Sequence, residues 1–334
     1  MIDFPINTKL FSDSSDIYIV GGSLRNHLLN KPIFDYDIVV SANTEVYIHK
    51  LASDLQGRVV KIGKSNQGII RIVTPKCIFD ILPLNGQSIE EDLGKRDFTI
   101  NAMAYHLSSG KIIDIFGGMQ DLKDKKIRMV SRQAFRNDPI RLLRAYRMAA
   151  TFGFKITKET AAMIEKEAGR IRYSAGERIR EELIKIMQTE KSHLQIGQMA
   201  ENRLLFELVP ELKALRACTQ NEHHSRDVFS HTLSAYDYLE QGLNTLNRDF
   251  PEWSHHIIQS CWGKRTALLK WAMLLHDVGK PAVQTKDLNG RIHFYHHSQK
   301  GAEIAKKIND SIRLSKMENR FIDTIIRHHT RPLS

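Results

Sequence analysis

The spacing of hydrophobic and polar residues changes near residue 131, so the two parts of the chain predict different structures. Before about Leu122, short runs of β-branched and aromatic residues alternate with short helical patterns. These runs lie at residues 17–20, 58–62, 68–73, 77–82, 103–107 and 111–114. Beyond Ser131 glycines become rare and long amphipathic stretches begin at Asp138. We expect an α/β head, with a mixed β-sheet and flanking helices, followed by all-α structure.

A second change in composition marks a third segment. Eleven of the 15 histidines lie between His223 and His329, just after the stretch at residues 211–221. The sequence shows no internal repeat and no low-complexity linker. It therefore predicts a head at residues 1–130, a helical neck and body at 131–215, and a histidine-rich all-α module at 216–334.

Positive charge is concentrated just after the head. The 334-residue chain has a formal net charge of +11, and residues 131–180 contain twelve Lys or Arg against five Asp or Glu. This excess predicts a polyanionic partner, although a solvated basic helix face gives the same count. The hydrophobic fraction of 42% is ordinary for a globular chain and argues against disorder.

The cysteines and the N-terminus predict where the protein acts. Cys77, Cys218 and Cys261 are scattered singly, without the spacing of a disulfide framework or a thiolate zinc site. The N-terminus lacks a basic region followed by an apolar core, and no stretch is long enough to span a bilayer. We expect a cytoplasmic protein with no membrane contact, and nothing in the sequence predicts a protein partner.

The first candidate site follows the strand at residues 17–20. Gly21 and Gly22 end this strand, and the leucines after them have helical spacing. Glycines let the backbone approach a phosphate, Ser23 is suited to cap the helix, and free N–H groups at a helix start attract negative charge. This turn predicts a triphosphate site, although a Gly-Gly pair is usually only a turn.

Carboxylates follow within a few residues of this turn. Asp35 and Asp37 are two positions apart in a predicted strand, so their side chains share one face. Two such carboxylates repel unless a cation lies between them, and hard oxygen ligands suit Mg²⁺. Asp80 interrupts the buried run at residues 77–82 and is either a third acid or a strand-end cap. The alternative for the pair is a solvated strand end.

The segment at residues 88–104 makes a family recognisable. Together with the Gly-Gly-Ser-x-Arg turn and the Asp-x-Asp pair, it resembles the class II tRNA nucleotidyltransferase (CCA-adding enzyme) and bacterial poly(A) polymerase family over roughly residues 15–190. The resemblance implies transfer of a nucleoside monophosphate from CTP or ATP to the 3′ end of tRNA, with Mg²⁺ on Asp35 and Asp37. It also implies a triphosphate and ribose pocket, formed by Gly21, Gly22, Ser23, Arg25, Arg96, Asp97 and Asn101.

The helix predicted to start at Asp138 carries a stripe of arginines. At 100° per residue, Arg141, Arg144 and Arg147 lie within about 120° of one another. An aspartate and an arginine can imitate a Watson–Crick edge. The family carries such an amino-acid template, usually Glu-Asp-x-x-Arg, and the resemblance assigns it to Asp138 and Arg141. Asn137 replaces the usual glutamate, and the other arginines are nucleotide contacts or meet RNA phosphate.

The nucleotides added are left open by the sequence. Only residues 81–87 separate the Asp80 strand from Ser88, where many full CCA-adding members carry a longer loop. A short loop resembles the CC-adding subgroup, so CCA addition, CC addition and A addition all stand as alternatives. Poly(A) polymerase is the alternative substrate class within the same family.

The histidine-rich module resembles the HD superfamily of metal phosphohydrolases. The resemblance assigns His231, His276, Asp277, His297 and His328 to a second divalent-metal site, with an activated water. The apolar run at residues 268–275 predicts a buried helix that delivers His276 and Asp277. A further aspartate usual in this superfamily does not follow, so the module is expected to be truncated or partly degraded.

Two functions from other classes compete with nucleotide transfer. In the first, the chain is an HD metal-dependent phosphohydrolase whose head only binds nucleotide. In the second, it is a non-catalytic RNA-binding protein built on a retired enzyme. The second has less support, because all acids needed for the transfer chemistry remain in the sequence.

Overall fold

The computed structural model describes residues 16–41, 44–62, 69–218, 227–252 and 263–331. The chain divides into two compact units: a head unit, of residues 1–134 and 155–160, and a helical unit, of residues 135–154 and 161–334. The predicted N-terminal features and Cys261 lie outside the described residues. Within those residues, every helix is too short or too polar to cross a membrane.

The head unit contains a seven-stranded mixed sheet, as the sequence predicted. Its strands are β1 (Ile17–Val20), β2 (Asp35–Val40), β3 (Arg58–Ile62), β4 (Ile69–Val73), β5 (Ile78–Pro83), β6 (Ala104–His106) and β7 (Lys111–Ile113). They lie in the order β3-β4-β5-β2-β1-β6-β7. Only β2 and β5 run parallel within this sheet, and every other neighbouring pair is antiparallel.

Helices flank this sheet. They are α1 (Gly21–Leu28), α2 (Thr44–Asp54), α3 (Ile89–Gly94) and α4 (Gly118–Lys123), and a separate parallel pair joins β8 (Lys126–Ile127) to β9 (Lys155–Ile156). One sheet face, with Tyr18, Val20 and Val39, packs against Ile89 and Leu93 of α3. Burying each such aliphatic side chain contributes about 1.5–3 kcal/mol, and this packing holds the sheet face that also carries the acids.

The part of the helical unit that the structure describes is almost entirely α-helical, as predicted. Its helices are α5 (Ala134–Asn137, whose first residue belongs to the head unit), α6 (Arg141–Phe152), α7 (Lys158–Glu167, which starts in the head unit), α8 (Gly176–Met187), α9 (Ser192–Glu201), α10 (Leu204–Leu208), α11 (Glu211–Arg216), α12 (Val228–Asp249), α13 (Lys264–Leu275), α14 (Lys280–Val283), α15 (His297–Ser311) and α16 (Lys316–His328). A 3₁₀ segment, Ala168–Tyr173, follows α7, and β10 (Thr285–Lys286) pairs with β11 (Ile292–His293). Short β segments are the feature that amphipathic spacing did not predict.

The helix of the predicted template starts later than the sequence suggested. A turn precedes α6, in which the N–H groups of Arg141 and Leu142 donate to the carbonyls of Asp138 and Pro139. No side chain caps this helix, because the Asp138 carboxylate binds an arginine of α8 instead. The apolar face of α6, with Leu142, Leu143 and Tyr146, is buried, as its periodicity predicted.

Candidate functional site

The three predicted acids share one face of the head sheet. Asp35 and Asp37 alternate with Tyr36, whose ring is buried and stacks on Phe79 on the opposite face. In the parallel pairing of β2 with β5, Asp37 lies directly beside Asp80. Since neighbouring residues in register point to the same side of a sheet, the three carboxylates face together. The structure therefore brings Asp80 to the pair rather than leaving it a strand-end cap.

An arginine that sequence reasoning missed is bound to this group. Arg71 lies opposite Asp80 in the β4–β5 pairing, and its Nε and Nη2 atoms donate to Asp80 at 2.7 and 2.8 Å. This bidentate contact fixes the orientation of the Asp80 carboxylate. A cation in the middle of a β-rich run, one strand away from an acid, was the signal available in the sequence.

The surroundings of Asp37 raise the pKa of its carboxyl group. Burial raises its pKa, and the charges of Asp80 and Asp35 raise it further, while Arg96 and a hydrogen bond from the Gly22 N–H oppose them. An added cation would lower this pKa, and the donors are hard carboxylate oxygens. The residues therefore fit Mg²⁺. Among the described residues, however, the head acids do not form a group of three whose ligand atoms all lie within 4.8 Å.

The glycine turn closes the site from one side. Gly21 has φ +63°, so the chain passes from β1 into α1 without an intervening cap residue. A Cβ on Gly21 would lie 2.9 Å from Nη1 of Arg96 and 3.3 Å from Oδ2 of Asp37. Cβ atoms essentially never approach another atom as closely as 2.9 Å, so the end of the Arg96 side chain would have to move, and the positive φ itself favours glycine.

Ser23 serves a different role from the predicted cap. It lies inside α1 and is 1% exposed. Its hydroxyl donates to the Asp35 carbonyl at 3.1 Å and accepts from the Asp37 N–H at 2.8 Å. The serine therefore ties α1 to β2 at the two acids, because the early helix start at Gly21 leaves no capping position for it.

The predicted pocket residues form one connected group. The Arg25 guanidinium donates from Nη1 to the Asn101 side chain, and Nδ2 of Asn101 donates to Asp97 at 2.9 Å. All three residues are less than 9% exposed. Arg96 lies beside Gly21 and binds Asp92 at 2.9–3.0 Å. The structure thus brings the head residues chosen from the sequence to one end of β1 and β2.

In the helical unit, α8 supplies partners for Asp138 of the predicted template and for two arginines of the stripe. Arg178 donates two parallel hydrogen bonds to Asp138, at 2.9 and 2.8 Å. Glu182, one turn further along α8, accepts from Arg144 at 3.3 Å and from Arg147 at 2.5 Å. The predicted RNA-facing stripe is therefore tied to α8 in this structure.

Among its described residues, the histidine module contains two candidate metal-ligand groups that share one aspartate. His231, His276 and Asp277 form the first, while Asp277, His297 and His329 form the second, with all ligand atoms of a group within 4.8 Å. Oδ2 of Asp277 lies 3.1 Å from Nε2 of His276, and Oδ1 lies 3.5 Å from Nε2 of His297. A carboxylate that faces both groups is suited to bridge two cations.

Backbone contacts orient these rings as metal ligands usually require. Nδ1 of His276, His297 and His329 donates to the carbonyls of Met273, Phe294 and Ile326 at 2.7, 2.8 and 2.6 Å. Each Nε2 is then the acceptor nitrogen and faces Asp277. Nε2 of His297 and of His329 lie 3.2 Å apart, a distance at which two lone pairs repel unless a proton or cation lies between them. Burial lowers the pKa of His329, which favours the neutral, ligating form.

The candidate metal-ligand groups contain the neighbour of one histidine that the sequence analysis chose. The structure brings His329 to Asp277, whereas His328, the last residue of α16, belongs to neither group among the described residues. His329 lies three residues after the buried Ile326 and seven after the buried Ile322, so it continues the inner face of the helix. Helical spacing could have identified it.

Lys280 is a further charge at this site that the sequence analysis did not choose. Its Nζ lies 2.8 Å from Oδ2 of Asp277. Burial alone would raise the pKa of Asp277, but the hydrogen bond and charge of a protonated His276 ring, and those of Lys280, lower the pKa well below its ordinary value. Lys280 lies three residues after Asp277, and this spacing, which brings two side chains together within one helical turn, was the signal available in the sequence.

Comparison with family models divides the chain into three matched stretches. The model described as "Poly A polymerase head domain" matches residues 17–86 and 83–128. The model described as "Probable RNA and SrmB- binding site of polymerase A" matches residues 153–215, and the "HD domain" model matches residues 228–334.

Known proteins with related sequences are named as tRNA nucleotidyltransferases or CCA proteins. The A-adding tRNA nucleotidyltransferase of Deinococcus radiodurans is 30% identical over 317 residues, which cover 93% of this chain and 68% of that protein. The multifunctional CCA protein of Haemophilus ducreyi is 31% identical over 337 residues, covering 94% and 75%. The solved structure of the Thermotoga maritima CCA-adding enzyme complexed with tRNA matches with a TM-score of 0.68 and 25% identity, over 96% of this chain and 67% of that chain.

Proposed function

This chain belongs to the family of CCA-adding and A-adding tRNA nucleotidyltransferases, and on that premise we propose that it adds C, A or both to the 3′ end of tRNA. The observation that carries the proposal is the shared face of Asp35, Asp37 and Asp80 beside the Gly21 turn. The predicted division assigns catalysis to residues 1–130 and nucleotide selection with RNA binding to 131–215. A cytoplasmic location is part of the proposal.

Each of the head residues has its own proposed role in nucleotidyl transfer. Asp35 and Asp37 would hold Mg²⁺, which when bound lowers the pKa of the attacking 3′ hydroxyl and stabilises the leaving pyrophosphate. Arg25 and Arg96 provide positive charge for the triphosphate, and Gly21 leaves the space that the Arg96 guanidinium occupies. Asp97 and Asn101 fix Arg25 in place, so most of the catalytic contribution of these residues is positioning.

Selection of the incoming base is proposed for α6 and the turn before it. The Asp138 carboxylate accepts from a base amino group, and Arg141 donates to a neighbouring base acceptor. Cytosine and adenine both present this amino group and an adjacent ring acceptor, whereas uracil presents a carbonyl at the corresponding position. Selection of CTP and ATP over UTP follows from that difference.

The test offers tRNA transcripts that end before CCA, after C and after CC to the purified protein with Mg²⁺. CTP and ATP are supplied separately and together, and products are resolved on sequencing gels. Completion to CCA, two C additions that stop, or A added only to the CC end would each identify one member of the proposed class. Long A tails would indicate a poly(A) polymerase, and no incorporation would refute the proposal.

The turn after β5 bears on which of these outcomes to expect. It is short and tied to α3: the Asn85 N–H donates to Asp92 at 3.1 Å, and Lys95 Nζ donates to the Asn85 carbonyl at 2.7 Å. A turn held through both backbone groups of Asn85 has little freedom to follow a change of nucleotide. This favours a specialist that adds either C or A over an enzyme that switches between them.

Matched carboxylate variants separate catalysis from stability. Asp37→Asn removes a proposed metal ligand, so kcat/KM for CTP or ATP should fall by at least about a thousandfold, because metal stabilisation of the transition state is worth several kcal/mol. Asp124→Asn removes an exposed carboxylate of the same unit, which pairs only with surface groups, and should keep the activity. Equal activities of the two variants would contradict the assigned role.

A second candidate function is metal-dependent phosphate-ester hydrolysis in the histidine module at residues 216–334. The paired ligand groups around Asp277 and the 3.2 Å approach of two acceptor nitrogens favour it. A divalent metal held there would supply an activated water. The test measures hydrolysis of p-nitrophenyl phosphate and of 2′,3′-cyclic AMP with Mn²⁺, Co²⁺ or Ni²⁺. Activity that survives His276→Ala would refute this function.

A further inference from the structure

Arg71 lies on the side of the acid cluster that is opposite the glycine turn. In the sheet order, β4 and β1 lie on either side of the β5–β2 pair that carries the acids. Asp37, Asp80 and Arg71 form one row across β2, β5 and β4. Asp37 also pairs with Val20, the residue before Gly21. Because residues in register share a face, this row runs from the glycine turn, past the acids, to Arg71.

The guanidinium group of Arg71 is fixed but not enclosed. Its Nε and Nη2 atoms bind Asp80, and no hydrogen bond to the rest of the described chain uses Nη1. The Arg71 side chain is 37% exposed. A bidentate pair with a carboxylate holds the planar group in one orientation. Arg71 therefore presents its outer donors at a set position beside the acids.

The sheet face beyond Arg71 is exposed and apolar. Val60 of β3 pairs with Arg71, and Val73 lies two residues after Arg71 on the same face of β4. Val60 and Val73 are 38% and 39% exposed, whereas Ile72, on the opposite face, is buried. An exposed apolar surface next to one fixed cation suits a ligand that combines a phosphate with a flat, uncharged group, as a nucleotide does.

The geometry of the proposed reaction indicates which substrate approaches from this side. The 3′ hydroxyl oxygen of the acceptor RNA bonds to the α phosphorus while the bond to the leaving pyrophosphate breaks, and the two oxygens lie roughly in line. The triphosphate is assigned to the Gly21 turn with Arg25 and Arg96, on the β1 side of the acids. The attacking hydroxyl then reaches the acids from the opposite side, which is the side of β4.

The spacing of the strands fits one nucleotide of the acceptor. Neighbouring strands lie about 5 Å apart, so Asp80, with the guanidinium bound to it, lies one such step from Asp37. The last phosphodiester of the acceptor is one nucleotide away from the reactive hydroxyl. When that hydroxyl is at the acids, this phosphodiester therefore comes close to Arg71.

We propose that Arg71 is a positioning residue, which binds the last phosphodiester of the acceptor RNA and so places the 3′ hydroxyl for attack. The nucleotide before this phosphodiester packs on Val60 and Val73. The inference rests on the proposed function and adds to it a site for the acceptor end in the head unit. Since Arg71 touches no reacting atom, its contribution should be seen in KM for the acceptor.

The experiment compares two synthetic RNA hairpins with the 3′ end that the wild type extends. In one hairpin, a methyl group replaces a nonbridging oxygen of the last phosphodiester, so that this linkage is neutral. Both hairpins carry the same 2′-deoxyribose next to the linkage, and KM and kcat are measured with Mg²⁺ and CTP or ATP. For the wild type, the neutral linkage should raise KM for the acceptor at least about tenfold, because a hydrogen bond to a charged group is lost.

Arg71→Ala should raise KM for the charged hairpin by a similar factor and leave KM for the nucleotide unchanged. Its KM values for the two hairpins should differ by less than about twofold, since one partner of the contact is already absent. Arg71→Gln keeps a donor for Asp80 without the charge and should give the same result, which tests the contact even if the alanine variant does not fold.

Two results would overturn the proposal. In the first, the effects of the neutral linkage and of Arg71→Ala multiply, which shows that the two groups do not meet. In the second, Arg71→Ala lowers kcat equally for both hairpins and keeps the wild-type KM values, as expected of an arginine that only orients Asp80.

Arg128 is a matched control in the same unit. Its Nε also donates to an aspartate, Asp121, at 3.0 Å, and its side chain is 41% exposed. Arg128→Ala should keep the wild-type KM for the charged hairpin and the full response to the neutral linkage. Loss of that response in Arg128→Ala as well would show that it is not specific to Arg71, and would also count against the proposal.

Nucleotide incorporation by the wild type separates the two levels of inference. If the wild type extends the charged hairpin but the neutral linkage and Arg71→Ala act independently, only the assignment of Arg71 fails. If the wild type extends no RNA end that is offered, the proposed function fails, and the assignment of Arg71 fails with it.

Discussion

Single residues at the acid cluster have little freedom to change. Gly21 is enclosed by Arg96 and Asp37, and Ser23 is hydrogen-bonded to both ends of the Asp35–Asp37 stretch. Arg71 holds Asp80 by two hydrogen bonds. Because the acids are placed by neighbours that have no chemical role themselves, activity should respond to changes that leave every acid in place.

Replacement of Gly21 tests this dependence. Gly21→Ala should cost about 1–2 kcal/mol of stability, because alanine disfavours φ +63°. It should also lower kcat/KM for nucleotide by roughly a hundredfold, since the new Cβ displaces Arg96. Gly117→Ala is the matched control: Gly117 has φ +73°, but its Cβ would meet nothing within 4 Å. It should lose similar stability and keep its activity in a nucleotide-incorporation assay.

The pairing of Asp138 with Arg178 gives a second prediction for single residues. Arg178→Ala removes both hydrogen bonds from the proposed template carboxylate, so kcat/KM for CTP should fall about tenfold and discrimination against UTP should weaken. Arg178→Lys keeps the charge but cannot donate two parallel hydrogen bonds, so its kcat/KM should lie between those of the wild type and Arg178→Ala. Lys185→Ala changes an exposed cation on the same helix and should have no effect. Equal selectivity in all variants would contradict the positioning role.

At the scale of elements, a buried polar group joins three helices of the helical unit. Glu240 of α12 accepts from Lys270 of α13 at 2.6 Å, and both side chains are at most 3% exposed. The same carboxylate accepts from the N–H groups of Ser192 and His193 at the start of α9, at 3.0 Å each. A charge this deeply buried is tolerated only because all of its partners are present.

Removing one partner should therefore be costly. Lys270→Met leaves the Glu240 carboxylate buried without its cation, and we expect a loss of about 3–5 kcal/mol in the free energy of unfolding. Lys306 forms an ion pair with Asp310 at the same 2.6 Å, but these side chains are 68% and 51% exposed. Lys306→Met should change stability by less than about 1 kcal/mol. Urea unfolding of both variants measures the contrast.

The same buried group predicts that the free energy of unfolding decreases at low pH. Burial alone would raise the pKa of Glu240, but hydrogen bonds from Lys270, Ser192 and His193 lower it below the ordinary glutamate value. A lowered folded-state pKa stabilises the fold above the unfolded-state value, about 4.3, and this contribution is lost as pH falls through the folded-state value. Glu240→Gln should flatten the fall in unfolding free energy below about pH 5. An unchanged pH dependence in this variant would contradict the account.

The elements themselves were largely predictable, and the contacts between them were not. Runs of β-branched and aromatic residues identified β1 and β3 to β7 within about a residue at each end, because such side chains favour strands. The Asp37–Asp80 proximity was only an expectation until the parallel β2–β5 register was seen, since side-chain spacing does not determine which strands pair. Contacts of α8 with Asp138 and Arg144 join residues about 40 positions apart, and no local pattern indicates them.

At the scale of the whole molecule, two metal chemistries are proposed in one chain, each supported by its own residues. The acids of the head are hard oxygen donors, whereas the histidine module offers imidazoles around one carboxylate. Mg²⁺ suits the first set, and imidazole-rich sites bind transition metals more strongly. The two sites should therefore be separable by the metal supplied and by variants in one unit alone.

The position of His329 provides the test of that separation. Because its acceptor nitrogen faces Asp277 and His297, Ni²⁺ or Mn²⁺ should raise the melting temperature of the wild type. His329→Ala should lose most of this rise, whereas the neighbouring variant His328→Ala should keep it. Nucleotide incorporation with Mg²⁺ should be unchanged in both variants, and Asp37→Asn should show the opposite pattern, losing incorporation while keeping the metal-dependent rise. Loss of the rise in His328→Ala but not in His329→Ala would show that the sequence-based ligand was correct and that the inner face of α16 ends one residue earlier.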